Sequence, residues 1–109
     1  MRFVETPIFT RRIRGTLSDE QYRALQMALV RRPEQGSLIP GSGGLRKIRW
    51  GTGSGGKRGG HRIIYYWERR WERRSETFHM LFIYAANERE DLTRDQIKPL
   101  GRIAREEFE

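Results

Sequence analysis

The residues best suited to chemistry lie in a basic, glycine-rich window between Gln35 and Trp67. This window has no acidic residue, in a chain of formal net charge +8, and it contains six basic ones: Arg46, Lys47, Arg49, Lys57, Arg58 and Arg62. Glycine-rich stretches at 41–44 and 51–60 run between them and let phosphates approach the main chain closely. A positive surface on such a backbone makes nucleic acid the first partner to consider.

Residues 51–58 nearly match a phosphate-binding P-loop, because Lys57 stands where the motif has its lysine. The next position should hold magnesium through Ser or Thr, but it is Arg58. The segment that follows is also predicted as a strand, whereas a P-loop opens a helix. We therefore interpret the segment as a hairpin loop rather than as a site of nucleotide hydrolysis.

Arg62 opens an otherwise apolar strand directly after two glycines, where guanidinium and backbone could bind one phosphate together. A surface arginine at a strand end is the alternative interpretation. The two histidines, His61 and His79, are too isolated for a metal centre, and the chain has no cysteine. We expect no metal and no cofactor. His79 is interpreted as a sheet residue, and His61 as a candidate RNA contact beside the basic window.

The N-terminal third is predicted as a strand followed by two helices. The strand covers Arg2–Glu5, and a short helix follows from Pro7. Ser18 and Gln21 form a capping box that begins the second helix, and Pro33 ends it. The second helix has an apolar face made of Tyr22, Leu25, Ala28 and Leu29.

Three strands are predicted next, over Leu45–Trp50, His61–Trp67 and Thr77–Tyr84. In the first of them Ile48 and Trp50 share one face, while Lys47 and Arg49 point the other way and form a basic outer side. The other two are nearly continuous apolar runs, as expected for central strands covered on both faces. Glu68–Ser75 is predicted as the turn between them.

Thr93 and Gln96 repeat the capping-box pattern before a final helix. Its apolar stripe is Ile97, Leu100, Ile103, Ala104 and Phe108. Pro99 and Gly101 interrupt this stripe and predict a late start or a kink. The resulting order, β-α-α-β-β-β-α with short connections, indicates a single α+β domain over residues 1–109 with a mostly antiparallel sheet.

The composition favours a soluble, cytoplasmic protein. Charged residues make up 33% of the chain, and no run approaches the roughly 18 apolar residues that span a bilayer. The N-terminus lacks the apolar core of a signal peptide. The basic window lies on strands and loops, which disfavours a membrane-binding amphipathic helix. Neither long helix is basic along a recognition face, which disfavours a DNA-binding regulator.

Three ordered segments, Gly43–Trp50, Gly56–Tyr66 and Ile83–Thr93, resemble the HigB branch of the RelE toxins. The resemblance implies a RelE-like microbial RNase fold and a type II toxin. Such a toxin enters the ribosomal A site, on its 16S rRNA side, and cleaves mRNA without a metal. A HigA-like helix-turn-helix antitoxin would silence it. The alternative is a non-catalytic basic protein that binds RNA or the ribosome.

RNA supplies its own nucleophile, the 2′-hydroxyl, so a protein can promote cleavage by orienting it and stabilising charge. The resemblance implies that Arg62 stabilises the transition state, and that Tyr84 stacks on a base or contacts the reacting group. The alternative interpretation of Tyr84 is an aromatic residue at a strand end that caps the core. The implied catalytic positions are Lys57, Arg62, Tyr84 and Ala86. The implied RNA-binding residues are Arg46, Lys47, Arg49, Arg58, His61 and Asn87.

Ala86 stands where the family pattern usually has a lysine. An alanine there removes an ammonium that could protonate the leaving 5′-oxygen or neutralise the phosphate. The loss of one such contact typically slows a reaction by about 10²–10³-fold. We therefore expect an attenuated enzyme, either an engineered detoxified variant or a naturally weakened family member.

Overall fold

Helices cover both faces of one five-stranded sheet in the computed structural model, which describes residues 1–51, 60–88 and 91–108. The strands are β1 (Arg2–Glu5), β2 (Ser37–Leu38), β3 (Arg46–Trp50), β4 (His61–Arg70) and β5 (Ser75–Ala85). The helices are α1 (Pro7–Ile13), α2 (Asp19–Arg31) and α3 (Arg94–Phe108). Among these helices, none has the length and apolar character to cross a membrane.

The strand order in the sheet is β1-β5-β4-β3-β2. The pairs β2·β3, β3·β4 and β4·β5 are antiparallel, and only the edge pair β1·β5 in the described sheet is parallel. The predicted α+β class with a mostly antiparallel sheet is therefore confirmed. The sequence analysis missed β2, because its two residues are too few to carry a periodic signal.

Both N-terminal helices begin at a side-chain cap, of which the second was predicted. Ser18 Oγ accepts the Gln21 N–H at 3.1 Å, and Gln21 Oε1 accepts the Ser18 N–H at 2.8 Å, which confirms the capping box. Thr6 caps α1 by accepting the Phe9 N–H at 3.1 Å. The same hydroxyl donates to the Leu81 carbonyl at 2.8 Å. One side chain thus begins α1 and joins it to β5.

The last helix begins where its capping box predicts. The Thr93 N–H donates to Gln96 Oε1 at 2.8 Å, and Thr93 Oγ1 accepts the Gln96 N–H at 3.2 Å. The helix then runs from Arg94 through Pro99, so the predicted late start is wrong. A proline removes one backbone hydrogen bond from a helix. Here the cap and the packing of Ile97, Leu100 and Ala104 on the sheet outweigh that loss.

Each face of the sheet has its own apolar core. Between the sheet and α1 and α2 lie Phe9, Ile13, Leu17, Leu25, Leu29, Ile48, Ile63, Tyr65, Phe78, Met80 and Ile83. Between the sheet and α3 lie Leu45, Ile64, Leu81, Tyr84, Ile97, Leu100 and Ala104. The central strands β4 and β5 supply residues to both cores, which explains their nearly continuous apolar sequences.

A β-bulge in β5 changes which side chains face each core. Tyr65 lies opposite Met80, but its neighbour Ile64 lies opposite Phe82, so Leu81 is an extra residue in β5. An extra residue reverses the alternation of all that follow it. Met80 therefore belongs to the first core, whereas Leu81 and Tyr84 belong to the second.

The hairpin between β4 and β5 extends further than predicted. The strands remain paired through Arg69 opposite Glu76 and Arg70 opposite Ser75, so Glu68–Ser75 is too wide a range for the turn. Backbone pairing continues through charged residues, and the opposite charges of Arg69 and Glu76 face each other across the ladder. A 3₁₀ turn at Trp71–Arg73 closes the hairpin.

Tyr65 fixes the loop between α2 and β2. Its hydroxyl donates to the Pro33 carbonyl at 2.6 Å and accepts the Gly36 N–H at 3.0 Å. Burial raises the pKa of this phenol, which keeps the donating proton in place. A Cβ at Gly36 would lie 2.8 Å from Tyr65 Cε1, so only glycine fits at that position without displacing the ring.

We expect Gly36→Ala to lower the free energy of unfolding by about 1–3 kcal/mol, because the added methyl overpacks a buried ring. Urea denaturation followed by circular dichroism measures the change. Gly15→Ala is the matched control, since a Cβ there meets nothing within 4 Å. Equal stability of the two variants would contradict the assigned role of Gly36.

Candidate nucleic-acid interface

Side chains from three adjacent strands form a row on the sheet face that α3 covers. Arg49 of β3 lies opposite Arg62 of β4, and Arg62 lies opposite Tyr84 of β5. Residues directly opposite in an antiparallel pair project to the same face. Lys47 lies two residues before Arg49 and therefore shares that face. The predicted basic side of β3 is confirmed, because Ile48 between them is buried in the first core.

An open cleft of about 680 Å³ lies beside this row. Its basic wall is formed by Lys47 and Arg49. Its apolar floor and far wall include Ile64, Leu92 and Ile97. A basic wall next to an apolar floor suits a ligand that carries both phosphates and less polar rings, as a nucleic acid strand does.

Asp91 contributes a carboxylate to the same cleft. Lys47 Nζ donates a hydrogen bond to Asp91 Oδ1, and the lysine side chain is 19% exposed while the aspartate side chain is 67% exposed. The carboxylate thus neutralises the charge of the lysine's ammonium. The sequence analysis missed Asp91, since the two residues are 44 positions apart and nothing local distinguishes it from its acidic neighbours.

Arg62 and Tyr84 are held inside the protein. Arg62 is 8% exposed and Tyr84 is 1% exposed, with the tyrosine packed in the second core. A charge in such surroundings is screened less by water, so the field of the Arg62 guanidinium is stronger than that of a surface arginine. The burial of Tyr84 favours its role in the core, because a base cannot stack on a ring that is already covered.

Position 86 lies at the same end of the sheet as Arg62. The Ala86 N–H donates to the Gly60 carbonyl at 3.2 Å, directly before β4 begins. Asn87 follows in an exposed turn. The fold therefore brings Ala86 close to the start of the strand that carries Arg62, although 24 positions separate the two residues in the sequence.

His61 lies on the opposite face from Arg62. It pairs with Trp50, which packs against the first core. Partial burial lowers the pKa of His61, and the Glu88 carboxylate offsets part of that decrease. Within the described residues, the His61 Nδ1 atom has no hydrogen-bond partner. The imidazole is thus neutral near pH 7 and adds no positive charge to the site.

Arg46, one of the predicted RNA-binding residues, is not brought into this row. The Arg46 guanidinium donates to the Glu34 carbonyl at 3.0 Å and to the Gly36 carbonyl at 2.8 Å. It therefore holds the loop before β2 and lies on the face opposite Lys47. Lys57 and Arg58 lie outside the described residues, as does the predicted hairpin loop that contains them.

Comparison with known protein families does not assign this site to a family. No family model matches the chain. Residues 1–51, 60–88 and 91–108 include no group of three or more His, Asp or Glu side chains placed to hold one metal ion. The site is thus defined by its own side chains: two cations on β3, a buried arginine on β4 and the carboxylate of Asp91.

We expect Glu88→Gln to lower the pKa of His61 further, because the nearby carboxylate stabilises the imidazolium. An NMR titration measures this change directly, and the chain has only two histidines to assign. Glu20→Gln is the matched control, because it removes the same charge from the exposed start of α2. An unchanged or raised pKa in Glu88→Gln would contradict the assigned interaction.

Proposed function

We propose that this protein is the toxin of a type II toxin-antitoxin pair, an endoribonuclease that cleaves mRNA in the ribosomal A site. The observation that carries the proposal is the shared face of Lys47, Arg49 and Arg62 beside an open cleft. Adjacent strands are about 4.8 Å apart, and alternate residues along a strand are about 6.6 Å apart. Cations at these separations can neutralise neighbouring phosphates of one strand.

The apolar part of the cleft supports a nucleotide rather than a free anion as the ligand. Leu38 and Leu92 line the cleft, and Leu38 is 59% exposed. A ribose or a base can rest on these side chains while its phosphates contact Lys47 and Arg49. Ribosome-bound mRNA meets these requirements. The proposed location is therefore the cytoplasm. The proposed silencing partner is a helix-turn-helix antitoxin.

The proposed reaction uses the nucleophile that RNA carries. The 2′-oxygen forms a bond to phosphorus as the bond from phosphorus to the 5′-oxygen breaks, which leaves a cyclic phosphate and a 5′-hydroxyl. The Arg62 guanidinium stabilises the negative charge that develops on the phosphorane oxygens. Lys47 and Arg49 hold the flanking phosphates so that the attack is in line.

Because residue 86 is alanine, its side chain cannot protonate the leaving 5′-oxygen in this reaction. The 2′-hydroxyl loses a proton to water, and the leaving 5′-oxygen must gain one. An ammonium at position 86 would supply that proton near the phosphate. With alanine there the proton comes from solvent, so cleavage proceeds slowly while RNA binding is retained.

We expect Ala86→Lys to raise the rate of mRNA cleavage on translating ribosomes by about 10²–10³-fold, since it restores a general acid beside Arg62. Cleavage in a reconstituted translation system, mapped to the ribosomal A site, measures the rate. Ala24→Lys is the matched control, because it adds the same charge at an exposed position of α2.

Two outcomes would decide against this proposal. Ribosome binding without cleavage by either the present chain or Ala86→Lys would favour the non-catalytic RNA-binding alternative. Growth arrest in cells that is no stronger for Ala86→Lys than for the present chain would show that position 86 does not limit activity.

We expect Asp91→Asn to tighten binding of single-stranded RNA by up to about fivefold, because it releases the Lys47 ammonium from an ion pair of modest strength. Fluorescence anisotropy at fixed salt measures the affinity. Asp19→Asn is the control, since it makes the same change in net charge at the start of α2. Equal gains in both variants would show that net charge alone, and not the release of Lys47, is responsible.

A further inference from the structure

The tip of the β4–β5 hairpin presents an exposed tryptophan. Trp71 is 73% exposed, at the opposite end of β4 from Arg62. Nine residues separate the two positions, which corresponds to roughly 30 Å along an extended strand. A large exposed aromatic ring can serve as a stacking surface for a flat ligand.

The exposed ring is held in place by a stack of side chains. The Arg69 guanidinium carbon lies 3.6 Å from the centroid of the Trp71 ring and 5.3 Å from that of Trp67. Trp67 in turn packs against the first core. Cation–π contacts of this kind anchor Trp71 to the folded body through Arg69. The ring is therefore oriented before any ligand arrives.

The backbone of the tip forms a closed turn. The Arg74 N–H donates to the Trp71 carbonyl at 3.2 Å and closes the 3₁₀ turn. Arg74 has a φ of 50°, and it is the one described residue other than glycine with a positive φ. A non-glycine residue in this region is unfavourable, and such residues occur often at ligand-binding segments.

The charge around Trp71 favours a polyanion. The Glu68 carboxylate receives the Arg70 Nε–H at 2.8 Å and contacts His79 Nε2 at 3.3 Å. The remaining charged residues at this end of the hairpin are three arginines and two glutamates: Arg69, Arg73, Arg74, Glu72 and Glu76, of which Glu76 lies opposite Arg69. This surface is net positive, and phosphates can approach it beside the ring.

We propose that the hairpin tip is a second RNA-binding site, which takes an unpaired base on the exposed face of Trp71. Base stacking on an aromatic ring, with arginines contacting the backbone, is a recurrent mode of single-strand binding. RNA is favoured over a protein partner because this end of the hairpin is net positive and its arginines can donate to phosphate oxygens beside the ring. This inference depends on the proposed function in one respect, which is the choice of RNA as the ligand.

The experiment uses the full chain and a short unstructured RNA. We expect Trp71→Ala to weaken binding by roughly 5–100-fold, whereas Trp71→Phe keeps most of the affinity because it retains a ring. Met27→Ala is the control, since Met27 is also exposed but lies on α2. RNA is expected to quench part of the tryptophan fluorescence of the parent chain, and Trp71→Phe is expected to lose that quenching.

Two results would overturn the proposal. One is RNA affinity in Trp71→Ala equal to that of the parent chain while circular dichroism shows both to be folded. The other is normal RNA affinity in Trp71→Ala together with loss of binding to a protein partner, which would assign the tip to a protein interface.

The two proposals fail in different ways. If Ala86→Lys cleaves mRNA and Trp71→Ala leaves RNA binding unchanged, the second site is wrong and the proposed function stands. If Trp71→Ala weakens RNA binding and Ala86→Lys cleaves nothing, the second site stands and the proposed function is wrong.

Discussion

The extra residue in β5 is the constraint on which both cores and the site depend. Without Leu81 as a bulge, Ile83 rather than Tyr84 would lie opposite Arg62, and the alternation beyond Met80 would be reversed. Thr6, which directly follows the neighbouring strand β1, stabilises this point. Its N–H donates to the Met80 carbonyl at 3.1 Å and its hydroxyl to the Leu81 carbonyl at 2.8 Å. The end of β1 and the cap of α1 thus stabilise the register that builds the cleft.

A chain of net charge +8 must also place its cations where they do not oppose folding. Several arginine side chains contact other groups of the protein. Arg12 donates to the Ile83 carbonyl at 2.6 Å and lies 4.8 Å from the Phe82 ring centroid, so it covers the part of β5 beyond its pairing with β1. Arg46 is held by two loop carbonyls. A basic sequence therefore does not mean that every basic side chain faces a ligand.

The β4–β5 hairpin connects the two regions for which we propose RNA binding. At one end the buried Arg62 lies in the row beside the cleft, and at the other end Trp71 is exposed on a closed turn. The long dimension of the protein, 43 Å, accommodates both. The rigid sheet between them keeps their separation constant, because its side chains are packed on both faces.

Much of the fold could be predicted from the sequence, since it depends on interactions between residues a few positions apart. Ser18 and Thr93 begin their helices through bonds to residues three positions on. The alternation around Ile48 predicts the two faces of β3. The α+β class follows from the order of these elements. The basic wall of the cleft could also be predicted, because Lys47 and Arg49 alternate with Ile48 and therefore lie on the opposite face of β3.

Only the tertiary structure decided how these parts combine into a site. The ion pair of Lys47 with Asp91, the burial of Tyr84 and the bulge at Leu81 each depend on segments far apart in the chain. The sequence determines which charged and apolar side chains are present, and local spacing determines the face of a strand to which each side chain points. Which partner each group meets is set by packing across the sheet, where strand register and burial are determined by the whole chain at once.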